Sequence, residues 1–193
     1  DWRCPELSAV MLSKAAEVGN ASDAGEQEDE EYTFTGWEQQ SRRHVGTLVH
    51  GMLEQIARQG LEFWLESDPI QRKWILGRQL AAFGVPASEL ESALDRTTQA
   101  VQRTVESKRG RWILERHEDA ACELALTGLV GGQLTHAIID RTFVIDGIRW
   151  VIDYKTSSPK AGEPEKVFIQ RESEHYRGQM KSYSELLQAM DQE

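Results

Sequence analysis

Leu134-Thr135-His136-Ala137-Ile138-Ile139-Asp140-Arg141-Thr142-Phe143-Val144-Ile145, then Asp146-Gly147, then Ile148-Arg149-Trp150-Val151-Ile152-Asp153-Tyr154, is a pair of β-branched runs around an Asp-Gly step. Asp-Gly suits a two-residue hairpin because both central residues of a type I′ turn take positive φ. Such a loop puts Ile145 opposite Ile148. Stepping outward from there puts Asp140 opposite Asp153 on one face, with Cβ atoms roughly 4.5–5.5 Å apart. Lys155, two residues further on, shares that face. The other face carries Ile139, Phe143, Ile145, Ile148, Trp150, Ile152 and Tyr154, a core face interrupted only by Arg141.

Like charges directly opposite on a sheet repel. Two readings of Asp140, Asp153 and Lys155 follow. They form an ion pair on an open sheet face, or the carboxylates hold a divalent cation. Paired carboxylate oxygens suit Mg²⁺ or Mn²⁺. Spacing alone leaves both readings open.

Helical patterns flank the hairpin. Val45, Leu48, Val49, Met52, Leu53 and Ile56 have the spacing of an amphipathic helix beginning near Trp37, with Gly60 as its stop. His50 lies beside that apolar stripe, and Gly46 one turn earlier leaves room for close approach. By default such a histidine is simply packed. A second helix is predicted over 70–83, closed by Gly84 and Pro86. Ser88-Glu89-Leu90-Glu91 reads as a capping box opening a third. After Gly110 the pattern turns extended, with Arg111–Glu115 and Ala121–Leu126 as short strand candidates. A last helix is predicted over Glu174–Met190, with Tyr183 in the core and Gln179 a solvated neighbour. Helices, strands and a closing helix predict a sheet packed by helices.

The 193 residues include 22 Lys+Arg and 32 Asp+Glu, a net charge of −10, with 39% hydrophobic residues and 6 Trp. That composition builds a core and excludes wholesale disorder. Residues 1–40 hold 10 acids and 2 bases, whereas residues 41–116 hold 12 bases and 9 acids. The overall acidity therefore does not exclude a phosphate-bearing partner, and bound metal reverses the local sign. Residues 1–36, with the acidic run over 25–31, are expected to be an extension or linker, partly disordered, docking a few residues such as Trp2 and Leu7. No apolar run is long enough for a membrane span, and no basic-then-apolar leader opens the chain. Two cysteines, Cys4 and Cys122, cannot make a four-cysteine zinc site or an iron–sulfur cluster. A cytoplasmic compartment is the plainest expectation. Because the chain opens on Asp1 rather than Met, a piece of a longer protein is expected.

Four stretches occur in a telling order: Gly46-Thr47-Leu48-Val49-His50, Ile139-Asp140-Arg141, Val151-Ile152-Asp153-Tyr154-Lys155-Thr156, and Gln179-Met180-Lys181-Ser182-Tyr183. Together, over about residues 37–193, they resemble the nuclease domain of RecB/AddA-type helicase–nucleases, a branch of the PD-(D/E)XK superfamily. The resemblance implies an α/β, restriction-endonuclease-like fold, a mixed central sheet with helices on both faces. It implies Asp140, Asp153 and Lys155 as catalytic residues. It implies Mg²⁺ or Mn²⁺ held by Asp140, Asp153, His50 and the Tyr154 backbone carbonyl. Gln179 and Tyr183 match a motif near the site and the DNA strand, and Glu123 is a weaker match to an acid of the first core strand.

The implied activity is metal-dependent hydrolysis of DNA phosphodiesters, exonuclease-like, in end processing and recombinational repair. The implied partners are a DNA strand or duplex end, helicase domains upstream in the same longer chain, and a second helicase–nuclease subunit. Ala137 departs from a glycine frequent in the family, and the cysteines of iron–sulfur relatives are missing. No G-x-x-x-x-G-K-[ST] stretch occurs, so any ATPase motor is expected upstream. Arg42, Arg43, Lys108, Arg109 and Arg111 are candidate phosphate contacts, each by default a solvated charge. The competing readings are a catalytically silent DNA-end-binding or scaffolding module and a surface-charged α/β domain of another role.

Overall fold

The computed structural model describes residues 36–157, 159–160 and 162–191, with side chains from residue 40 onward. The expected linker lies outside the described residues, save Gly36, which opens the first helix. The described residues form two compact units, 36–115 and 116–191.

The first unit is helical. Helix α1, Gly36–Gln59, buries the predicted stripe Val45, Leu48, Val49, Met52, Leu53 and Ile56. It ends at Gly60, whose φ of +106° is the left-handed turn that the predicted stop requires. A single turn, α2 (Glu62–Leu65), buries Trp64, whose indole N–H donates to Gln102 at 2.9 Å. Helix α3, Pro69–Ala82, starts where Pro69 follows Asp68, and the Asp68 carboxylate accepts the Ile70 N–H at 2.7 Å. Helix α4, Ala87–Glu106, buries Ala93, Thr97, Val101, Thr104 and Val105 along one face and packs on α1 and α3. The expected capping box does not form. The helix begins at Ala87 with Pro86 as N-cap and no side-chain cap, so Ser88 already lies in the first turn.

Arg111–Glu115 is not a strand. Ser107 caps a further helix, α5 (Lys108–Leu114), its hydroxyl accepting the Gly110 N–H at 2.9 Å. Gly110 is buried inside that helix rather than ending it. A Cβ there would stand 1.9 Å from the Thr104 carbonyl oxygen, so the glycine permits the tight α4–α5 corner.

The second unit holds the sheet. Strands β1 (Glu118–Val130), β2 (Gln133–Ile145) and β3 (Ile148–Ile152) lie in the order β1-β2-β3, both pairings antiparallel. The class is α/β; the parallel pairing that a mixed sheet requires is not present among the described residues. Asp146 and Gly147 have φ of +52° and +74°, and Ile145 faces Ile148 as expected. The β1–β2 turn, Gly131-Gly132, extends β1 well past the predicted Ala121–Leu126.

Helix α6, Glu165–Met190, starts nine residues before the predicted boundary, after Pro164. It packs on β1 and β3. Tyr183 and Leu187 close over Ile139, with Leu124, Leu126, Ala137, Val151 and Met180 around them. Each such fully buried aliphatic side chain contributes about 1.5–3 kcal/mol. Gly128 lets the helix approach, since a Cβ there would stand 2.8 Å from Leu186. Among the described residues no helix is long and apolar enough to cross a membrane.

Candidate active site

The hairpin register brings its carboxylates to one end of the sheet. The last β2–β3 pair is Arg141 with Ile152, so Asp140 and Asp153 come next, just past the ladder. The backbone N–H of Tyr154 donates to Asp140 Oδ2 at 2.6 Å and carries the register that one step further. Asp140 is half-buried, and the Asp153 side chain is only 7% exposed.

A buried carboxylate needs a counter-charge or hydrogen bonds. Asp153 has both. Lys155 Nζ lies 2.6 Å from its Oδ2, and the Gln179 amide donates to its Oδ1 at 3.4 Å. The same amide donates to the Tyr183 hydroxyl oxygen at 2.6 Å. Gln179 is thus partly buried at the site, not a solvated neighbour. Burial and the Asp153 charge push the Tyr183 hydroxyl up to about 12, so it stays protonated at neutral pH. Burial likewise pushes the Tyr154 hydroxyl well up.

Lys155 also touches a residue outside the expected site set. Its ammonium lies 4.3 Å from the centroid of the Tyr176 ring, one turn before Gln179 on α6. The spacing of Tyr176, Gln179 and Tyr183 puts all three on one helix face, and that spacing was the available signal.

The two faces of the hairpin are less separate than strict alternation predicts. Val151, on the carboxylate side by alternation, joins Ile139, Tyr183 and Leu187 in the core beneath α6. The strand beside Asp140 is irregular here: Glu123 has a φ of +52°, and the β1–β2 pairing skips it. An αL residue breaks the period of two. Glu123 itself is exposed. Arg141 is only 2% exposed, its guanidinium donating to Cys122 Sγ at 3.1 Å and lying 5.6 Å from the Phe143 ring centroid. It is therefore a buried core residue, consistent with no catalytic assignment.

His50 is half-buried on α1 and belongs to the helical unit. Of the candidate phosphate contacts, Arg111 spends its Nε on the Val105 carbonyl at 2.7 Å. Among the described residues no three His, Cys, Asp or Glu side chains form a metal-holding group. The sheet end offers instead two carboxylates, hard oxygen donors. That donor set fits a Mg²⁺-like ion, which keeps several of its own waters.

No curated protein and no solved structure matches the chain. The family model for the PD-(D/E)XK nuclease superfamily matches residues 29–193, a span holding both acids, Lys155 and the Gln179–Tyr183 pair. An acid pair on a hairpin with a lysine two residues on, inside a match that covers most of the chain, shows that this chain belongs to the PD-(D/E)XK nuclease superfamily.

Proposed function

We propose that this protein is a Mg²⁺- or Mn²⁺-dependent deoxyribonuclease, the nuclease domain of a RecB/AddA-type helicase–nuclease that trims DNA ends during recombinational repair. Membership of a nuclease superfamily supports the reaction class. The observation that carries the assignment of residues is the 2.6 Å contact between Lys155 and a nearly buried Asp153, one step past the ladder beside Asp140. The helicase context rests on the order of the four sequence stretches.

Asp140, Asp153 and the Tyr154 carbonyl would hold the ion, and the resemblance adds His50. Such an ion, when bound, supplies positive charge and makes water more acidic near neutral pH. The chain's own residues do the rest. Lys155 presents a fixed ammonium, braced between Asp153 and the Tyr176 ring, where it orients the attacking water or meets charge developing on the phosphate. Gln179 fixes the Asp153 carboxylate and ties it to Tyr183. Tyr183 stays a neutral phenol and does not add to the negative charge facing a phosphate. The substrate is a DNA strand or duplex end.

Incubating end-labelled single- and double-stranded DNA with the protein, with Mg²⁺ or with chelator, tests the reading. Shortened strands only with the metal are expected. DNA binding without cleavage would favour a silent end-binding module.

A further inference from the structure

Lys155 sits on neither strand nor helix: β3 ends at Ile152 and α6 begins at Glu165. Its position depends on whatever holds the segment between them. Besides the Tyr154–Asp140 hydrogen bond, a hold comes from a group that the reaction as proposed does not use. Glu172, on α6, has a side chain only 6% exposed. Its Oε2 accepts the Ser157 hydroxyl at 2.8 Å, and its Oε1 lies 2.6 Å from Arg171 Nη1. Arg171 in turn forks onto Glu163 at 3.1 and 3.2 Å. Glu163 closes its own turn by accepting the Lys160 N–H at 2.9 Å.

A carboxylate buried at a helix–loop junction is costly unless its oxygens are engaged, and here both are engaged with the segment or its clamp. Only Thr156 separates Ser157 from Lys155. We infer that Glu172 is a positioning residue: through Ser157 and Arg171 it fixes the β3–α6 segment and so holds Lys155 against Asp153. This inference rests on the proposed nuclease reading for its kinetic consequence, while the tether itself is independent of it. Small displacements of a positioned group can cost as much as about 10²-fold in rate.

The test uses the whole 193-residue chain with Glu172→Ala, Glu172→Gln and Ser157→Ala. Amide hydrogen exchange over residues 153–164 is expected to speed up about tenfold or more in Glu172→Ala and less in Ser157→Ala. Protection at Tyr183–Leu187 should persist. In Mg²⁺-dependent cleavage, kcat should fall about 10–100-fold in Glu172→Ala with KM for DNA little changed, and Glu172→Gln should recover part of it. On a Lys155→Ala background Glu172→Ala should cost almost nothing more, because both act through one group. Unchanged exchange, or a full additional loss on that background, overturns the inference. If Glu172→Ala loses protection throughout α6, Ser157→Ala, which removes only a hydroxyl, decides by the same criteria. A parent that cuts, a Lys155→Ala that does not, and Glu172 variants that match the parent leave the nuclease reading standing and overturn this one. A parent that never cuts contradicts the nuclease reading and overturns the positioning role with it.

Discussion

The Tyr154 backbone N–H donates to Asp140 Oδ2 at 2.6 Å, so the carboxylate of one strand is fastened to the residue that follows the carboxylate of the next. The bond spends one lone pair of Asp140. Calorimetric titration with Mn²⁺ should therefore separate two variants. Asp140→Asn keeps an acceptor for that N–H and a native thermal unfolding profile, yet loses at least about tenfold in Mn²⁺ affinity. Asp153→Ala should lose measurable binding. Parent-like affinity in both variants would remove these acids from the metal site.

Tyr176 should matter through its ring rather than its hydroxyl. A partly buried cation–π contact is worth about 0.5–2 kcal/mol, so Tyr176→Leu should slow cleavage by about 3–30-fold and Tyr176→Phe by little. Single-turnover rates measure this. Equal losses in both variants would point to the hydroxyl instead.

The α4–α5 corner gives a stability prediction free of any catalytic assumption. Gly110→Ala forces a Cβ against the Thr104 carbonyl and should destabilise by about 2–4 kcal/mol, in the range of large single-site effects. Gly51→Ala, in α1 with nothing within 4 Å of the new Cβ, should stabilise by about 0.5–1 kcal/mol. Urea unfolding of the two variants decides. A Gly110→Ala protein as stable as the parent would mean the corner is not built as described.

Acid should loosen the segment that carries Lys155. The hydrogen bond from Arg171 holds the Glu163 carboxyl below its ordinary value of 4.5. A depressed acid stabilises the folded state above its unfolded pKa, and that contribution is lost as pH falls through the folded value. The parent should thus lose more stability than Glu163→Gln between about pH 5 and about pH 3. Parallel pH profiles of the two in urea unfolding would argue against it.

The geometry of the candidate site was largely legible because a hairpin converts spacing into register. Asp146-Gly147 sets the turn, the turn sets the register, and the register leaves Asp140, Asp153 and Lys155 together. The gaps have particular causes. Gly110 reads as a breaker, whereas its missing Cβ serves a close approach that only the folded chain reveals. Gly131-Gly132 is a hairpin signal in its own right and extends β1, but no strong apolar alternation flanks it. The αL conformation of Glu123 has no mark in the sequence, and it breaks the alternation beside Asp140. Glu172 lies outside the predicted Glu174–Met190 helix and its burial has no mark in the sequence, because burial of a polar residue is set by what folds over it.

The central assignment is that Lys155 acts on charge that develops during cleavage, while the neighbouring acids do the holding. Single-turnover cleavage of end-labelled DNA by the parent and by Lys155→Ala, beside their DNA affinities, tests it most directly. The rate should fall about 10²–10³-fold with affinity nearly unchanged. A Lys155→Ala protein that cuts as fast as a Mg²⁺-dependent parent would contradict it.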